Sequence, residues 1–433
     1  MREMKESGIA WIGEIPKEWK VAFVGKHLDE VNNPNIDEVE KNTLQFKMGT
    51  IINKSDGNSK YNPESIETYN VVTPGVIMIN GLNLSFDLVS QRVAIVNEKG
   101  AITSTYLALQ PQTSSCNPHY INYLLKSYDN CKALHAMGRG LRATLSYSTF
   151  KRESLVLPPL SEQQRIATFL DEKCKEIDAL IALQEEMITE LQAYKQSVIS
   201  EAVTKGLDPK VAMKDSGVEW IGEIPEHWEV KYLSKIIWLR GRLGWKGLKA
   251  EEYTEIGYPF LSAFNIVSDT ISWNNLNFIN KDRYDESPEI ALSIGDVLIV
   301  KDGAGIGKCA RVQNLPHGES TVNSSIAVIT PSNSLHYSFL YYYMLSSPFR
   351  NTIELLKNGM GVPHLTQENM KVIQIQLPPL PEQQEIANYL DTQCTRIDSL
   401  IALKEEKIES LKEYKKSVIY EYVTGKKEVP ATV

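Results

Sequence analysis

The sequence predicts an α+β chain with an internal pseudo-two-fold repeat, in which two mixed α/β domains are joined by two long antiparallel coiled-coil helices. Three observations carry this reading. Met4–Val21 (MKESGIAWIGEIPKEWKV) returns as Met213–Val230 (MKDSGVEWIGEIPEHWEV), and Leu157–Thr204 returns as Leu377–Thr424. Between these near-copies lie residues 22–156 and 231–376, which barely resemble each other. Residues 161–204 contain neither Gly nor Pro, so one uninterrupted helix is expected there. A repeat of this size defines the architecture before any local feature does. A duplicated frame around dissimilar inserts suits two different readers held in one geometry. The divisions are 1–156 (arm and first insert), 157–208 (first helix), 209–376 (second arm and insert) and 377–433 (second helix and tail).

Taken in order, the first insert offers strands at Gly75–Ile79 and Arg92–Val96 and a helix candidate at Tyr120–Lys126. Asn117-Pro118 reads as the start of that helix. The long helix opens at Ser161-Glu162-Gln163-Gln164, an S-x-x-Q pattern resembling a capping box, and stops at Lys205-Gly206. In the second copy Pro381 takes the first-turn position, and Gly425 marks the stop. At about 1.5 Å per residue each helix would be roughly 66 Å long.

One seven-residue track runs Leu170, Ile177, Gln184, Leu191, Val198, and another runs Cys174, Ile181, Ile188, Lys195, Ala202. The second copy repeats both, with Lys404 and Lys415 among the apolar positions. This is a coiled-coil seam with polar interruptions. Like units related by a two-fold place their helices antiparallel. Cys174 and Cys394 then fall at opposite ends, and a disulfide between them is excluded.

In the second insert, Gly295-Asp296 precedes a buried strand, Val297–Val300. Gly303–Lys308 then reads as a glycine turn, Cys309–Val312 as a returning strand, and His336–Leu345 as a helix. The turn is not a P-loop: the G-x-x-x-x-G-K-[ST] pattern requires Gly where Asp302 stands, and Lys308 is followed by Cys309.

Composition is ordinary for a globular chain, 42% hydrophobic and 23% charged. No apolar run is long enough for a membrane span. The polar start MREMKESG lacks the apolar core of a secretion signal. Five cysteines without a CxxC pair fit a reducing, cytoplasmic setting. The net charge of −8 would argue against nucleic acid, but the acid excess sits in the helical segments; each insert carries one more base than acids. Affinity for nucleic acid follows the local face rather than the sum.

The sharpest local signal is Lys231–Ala250 (KYLSKIIWLRGRLGWKGLKA). It holds Lys231, Lys235, Arg240, Arg242, Lys246 and Lys249, no acid, and interleaved Tyr232, Trp238 and Trp245. Bases neutralise phosphates, and arginine also reads guanine in the major groove. Lys301 and Lys308 flank the glycine turn and are candidates for the phosphate backbone. The first insert has a weaker parallel in Arg139, Arg142, Tyr147 and Lys151. A catalytic constellation is not visible: there is no H-E-x-x-H and no Ser/His/Asp set. Asn117-Pro118-His119-Tyr120 only approaches an amino-methyltransferase motif and has no glycine-rich partner.

These residues resemble the specificity subunits of type I restriction-modification enzymes. The likeness spans essentially the whole chain. It is carried by the doubled WIGEIPxxW arm, the doubled LPPLSEQQ/LPPLPEQQ lead into the long helix, and the GDVLIV…GIGK strand pair. The first insert departs from the last pattern, having Pro74-Gly75-Val76-Ile77-Met78 and no glycine-lysine turn. The resemblance implies that each insert is a target recognition domain gripping one half of a bipartite, asymmetric site on double-stranded DNA. The helices would fix the spacer. Two methyltransferase subunits and the restriction subunits would join the frame. S-adenosylmethionine, ATP and magnesium would belong to those partners, and this chain would bind no cofactor, hold no metal and catalyse nothing. The alternatives are a recognition subunit of another methyltransferase or nuclease system, an autonomous DNA-modifying enzyme, and a coiled-coil scaffold without a DNA role.

Overall fold

The computed structural model describes residues 2–54, 65–140, 143–219, 221–241, 250–303, 305–356 and 365–430. The chain forms two compact units, Met1–Glu185 with Glu405–Val433, and Glu186–Lys404.

In the first unit, Lys20–Phe23 pairs antiparallel with Ser154–Leu157 and closes the insert at its base. The insert is built on an antiparallel sheet in the order Leu28–Glu30, Leu107–Pro111, Ile77–Ile79, Val93–Ile95. Helix Pro118–Asn130 packs on this sheet. Its Asn117 side chain accepts the Tyr120 N–H, and Pro118 occupies the first turn as expected.

The second unit repeats the plan. Glu229–Tyr232 pairs with Gln374–Leu377. The sheet order is Ile237–Arg240, Ile326–Pro331, Val297–Val300, Cys309–Arg311, again antiparallel throughout. Helix Tyr337–Leu345 lies against it within one buried cluster. Numbered along the chain, the four strands stand 1-4-2-3 in both units. The inserts that look unrelated in sequence therefore share one sheet topology. Short antiparallel strands ask only for apolar residues in a register, so many sequences satisfy the same sheet.

The long helices run Leu160–Lys205 and Leu380–Val423. In the first unit the start of one meets the end of the other: the rings of Phe169 and Tyr422 lie 4.5 Å apart, and Asp178 pairs with Lys415 at 2.6 Å. Position falls along one helix as it rises along the other, so the two are antiparallel there. The second unit contains the equivalent ion pair, Lys195 with Asp398 at 2.7 Å. Two of the lysines that interrupt the apolar seam, Lys195 and Lys415, are thus its cross-links.

Each unit also ties an arm to a helix start. The buried Trp19 indole N–H donates to Glu162 at 3.2 Å, and Trp228 donates to Glu382 at 3.1 Å. Arg2 adds an ion pair to Glu162, and that hydrogen bond raises its pKa further. The helix starts at Leu160, and Ser161 and Gln164 do not form the expected capping box: the Gln164 side chain accepts from the Asn117 amide and donates to Thr168. The neighbouring Gln163, and Gln383 in the second copy, reach further. Each is buried and donates to two loop carbonyls while its oxygen accepts the N–H at the start of the domain helix, from Asn117 and His336 respectively. Lower down, the Tyr123 hydroxyl donates to Asp171 and the Tyr342 hydroxyl to Asp391 on the long helices. All five cysteines are free.

Candidate nucleic-acid interface

The sequence-predicted residues fall into three groups. The first is internal. Arg240, expected on DNA, is 7% exposed. Its guanidinium pairs with the fully buried Asp296 at 2.6 Å and donates to the carbonyls of Glu289 and Ala291 and to Thr330. A buried arginine needs such partners to offset its desolvation, and here they hold its two terminal nitrogens inside; Arg240 braces the second domain. Tyr147 is similar: its hydroxyl donates to the Leu28 carbonyl at 2.8 Å, fastening the edge strand. Lys301 is mostly covered and pairs with Asp302 at 3.0 Å. Counting charges along a segment cannot show which of them fold inward.

The second group is exposed. Lys308 stands at the end of the glycine turn, whose Gly303 and Gly307 have positive φ values of 84° and 87°. That left-handed backbone suits glycine and lets Gly307 and Lys308 close the hairpin on Val300. Lys308 lines a cleft of about 390 Å³ with Asp269, Gly307, Arg350 and Glu354. Arg350, which pairs with Asp269 at 3.3 Å, carried no sequence signal because it lies far from the basic segment. Trp238 is 62% exposed, with the Arg240 guanidinium 4.9 Å from its ring. Arg139 is exposed on a small hairpin formed with Thr144. Lys151 is exposed too, but its carbonyl accepts the Gly25 N–H. It stands six residues before the duplicated Leu157, as Lys371 stands before Leu377.

The third group, Arg142, Arg242, Trp245, Lys246 and Lys249, lies outside the described residues.

The structure also shows what sequence reading passed over. In both sheets the second and third strands are joined at the same topological place. In the second domain this connection is the glycine turn. In the first it is the longer loop Asn80–Arg92, which carries Phe86, Leu88 and Val89 at 78%, 58% and 85% exposure. An F-D-L-V run reads as core in a sequence, and only the fold shows it facing outward.

Among the described residues, no group of three His, Cys, Asp or Glu side chains is placed to hold a metal, and no helix is long and apolar enough to cross a membrane.

The family model for the type I restriction modification DNA specificity domain matches the chain twice, over residues 45–193 and 225–413. The putative type I restriction enzyme MjaX specificity subunit of Methanocaldococcus jannaschii is 26% identical over 435 residues, covering 96% of this chain and 95% of its own. The EcoKI specificity subunit of Escherichia coli (strain K12) is 30% identical over 209 residues, 47% of this chain and 44% of its own. Among solved structures, a chain from work on complex assembly and conformational transition of the type I R-M system matches with a TM-score of 0.71 at 17% identity, over 95% of this chain and 99% of that one. The HsdS subunit from Thermoanaerobacter tengcongensis matches at 0.51 and 15% identity, over 95% and 98%. Both share this chain's fold.

Proposed function

Because the chain belongs to the family of type I restriction-modification DNA specificity subunits, we propose that its two inserts read the two halves of a bipartite, asymmetric duplex site. The observation that carries this is the pairing of one sheet topology with two unrelated sets of loops on a duplicated frame. A symmetric site would need only one kind of reader. The long helices fix the number of unread base pairs between the halves. The chain contributes recognition, while methyl transfer and cleavage belong to methyltransferase and restriction subunits that assemble on the frame. S-adenosylmethionine, ATP and magnesium act in those partners.

Replacing residues 22–156 by the corresponding insert of another family member tests the reading. Sequencing the methylated bases of a host carrying the chimera with its methyltransferase should show one half of the motif changed and the other intact. A change in both halves, or in neither, overturns it.

A further inference from the structure

We infer that the loop Asn80–Arg92 is the sequence-reading element of the first domain, and that Phe86, Leu88 and Val89 meet the base edges of the DNA. The inference rests on the DNA-specificity reading above and adds the residues.

The loop is rigid from within. Arg92 is 1% exposed, yet its guanidinium donates to the carbonyls of Asn80, Leu82 and Asp87 at 3.0, 2.8 and 2.8 Å. Its own N–H donates to the buried Asp129 at 2.7 Å, and the His135 ring contacts the Asp87 carbonyl at 3.1 Å. The Asp87 carboxylate accepts the N–H groups of Val89 and Ser90. These bonds fix the loop while leaving its three large apolar side chains in solvent. Exposed apolar clusters mark interaction sites, and a preorganised cluster loses little entropy on binding.

The occupant follows from the setting. The loop lies inside the segment matched by the DNA specificity domain model. It occupies the place in the sheet that the Lys308 turn occupies in the second domain. Its flanks are basic: Arg139 sits on the hairpin whose Ala143 carbonyl accepts the Leu84 N–H, and exposed Lys47 sits on the Leu44–Asn53 hairpin, whose Gly49 abuts Gln91. The loop's one acid, Asp87, is engaged by Arg92 and by the backbone. Apolar side chains distinguish bases through the thymine methyl group and through groove shape, while the flanking bases neutralise phosphate.

The test uses the full chain assembled with its methyltransferase subunits. Phe86→Ser/Leu88→Ser/Val89→Ser is compared with Ile36→Ser/Val39→Ser, which removes two other exposed apolar groups of the same domain (68% and 80% exposed). Fluorescence anisotropy is read on a duplex bearing the wild-type motif and on one with scrambled half-sites. The loop variant should lose at least ten-fold of its preference for the motif, and methylated-base sequencing should show degeneracy in one half only. The control should match wild type. Val89→Ser alone, a change too exposed to unfold the domain, should lose about three-fold. Wild-type preference in the loop variants overturns the inference, as does loss of co-purification with the methyltransferase, which would make the loop a protein contact. A wild-type complex that does not prefer its motif to the scrambled duplex overturns the underlying DNA reading instead.

Discussion

The indole N–H of Trp19 donates to the carboxylate of Glu162 across 143 residues of sequence, and Trp228 repeats the bond to Glu382. The last residue of the arm motif and the glutamate of the helix-start motif are therefore one structural device, used once in each unit. The two copies differ in cover. The Glu162 side chain is 11% exposed and also holds Arg2, whereas Glu382 is 26% exposed and takes His227 as its second partner.

Glu162→Ala should accordingly be the more damaging truncation. It strands a buried indole N–H and takes from the Arg2 guanidinium one of three carboxylate partners, the others being Glu18 and Glu428, a loss of about 1–3 kcal/mol. Glu382→Ala should cost less, because water reaches the vacated donors. Urea unfolding of the two variants side by side, followed by circular dichroism, checks the order.

Arg240→Ala should destabilise the second domain by about 3–5 kcal/mol, since it leaves the fully buried Asp296 without its counter-charge. Hydrogen exchange of strand Val297–Val300 should accelerate. A variant that stays fully stable and only binds DNA more weakly would return Arg240 to the interface.

Reversing one member of a helix cross-link should weaken the seam and exchanging both should restore it. Lys415→Asp alone places two acids together, whereas Lys415→Asp with Asp178→Lys re-forms the pair. Because Asp178 is largely exposed the effect should be small, about 0.5 kcal/mol, and should shrink in salt. Thermal melts of the single and double variants at low and high salt measure it.

Four residues inserted after Ala182 add about 6 Å of helix at about 1.5 Å per residue. The methylated motif should gain unread base pairs between its halves, or methylation should be lost, with neither half-site altered. Methylated-base sequencing reads the outcome directly.

His336 is partly buried, and desolvation followed by the nearby Arg311 lowers its pKa from the ordinary imidazole value. The neutral form is favoured in the fold, so the unfolded chain takes up the proton first. Stability from this group is full above the unfolded value, about 6.5, and declines as pH falls through it toward the lowered folded value. The denaturant midpoint of wild type should drop more between pH 7.5 and 5.5 than that of His336→Gln.

Much of this was legible in the sequence. The long helices end within a residue of their expected limits, because a run without Gly or Pro between strong stops leaves little choice. The strands at Ile77–Ile79, Val93–Ile95 and Val297–Val300 sit inside their apolar runs. The site was less legible. Arg240 looked like one of six equivalent bases, yet a strand alternates its faces and turned this one inward. Gln164 looked like a cap because its spacing from Ser161 fits one, but the helix already begins at Leu160 and the Gln164 oxygen accepts from Asn117, a residue brought near only by the fold. Arg92 and the loop it holds have no linear signature, since three carbonyls converging on one guanidinium is a property of folded backbone.

The first unit includes Glu405–Val433. The Tyr420 hydroxyl donates to the carbonyls of Trp11 and Ile12, and Tyr120 donates to the carbonyl of Val423. A Cβ at Gly425 would strike the Pro16 ring. During synthesis, then, Glu186–Lys404 emerges as one continuous stretch, while Met1–Glu185 waits for Glu405–Val433. A nonsense codon ahead of Glu405 would therefore fall hardest on the fold of Met1–Glu185, and nascent chains would dwell with Trp19 and its neighbours incompletely covered.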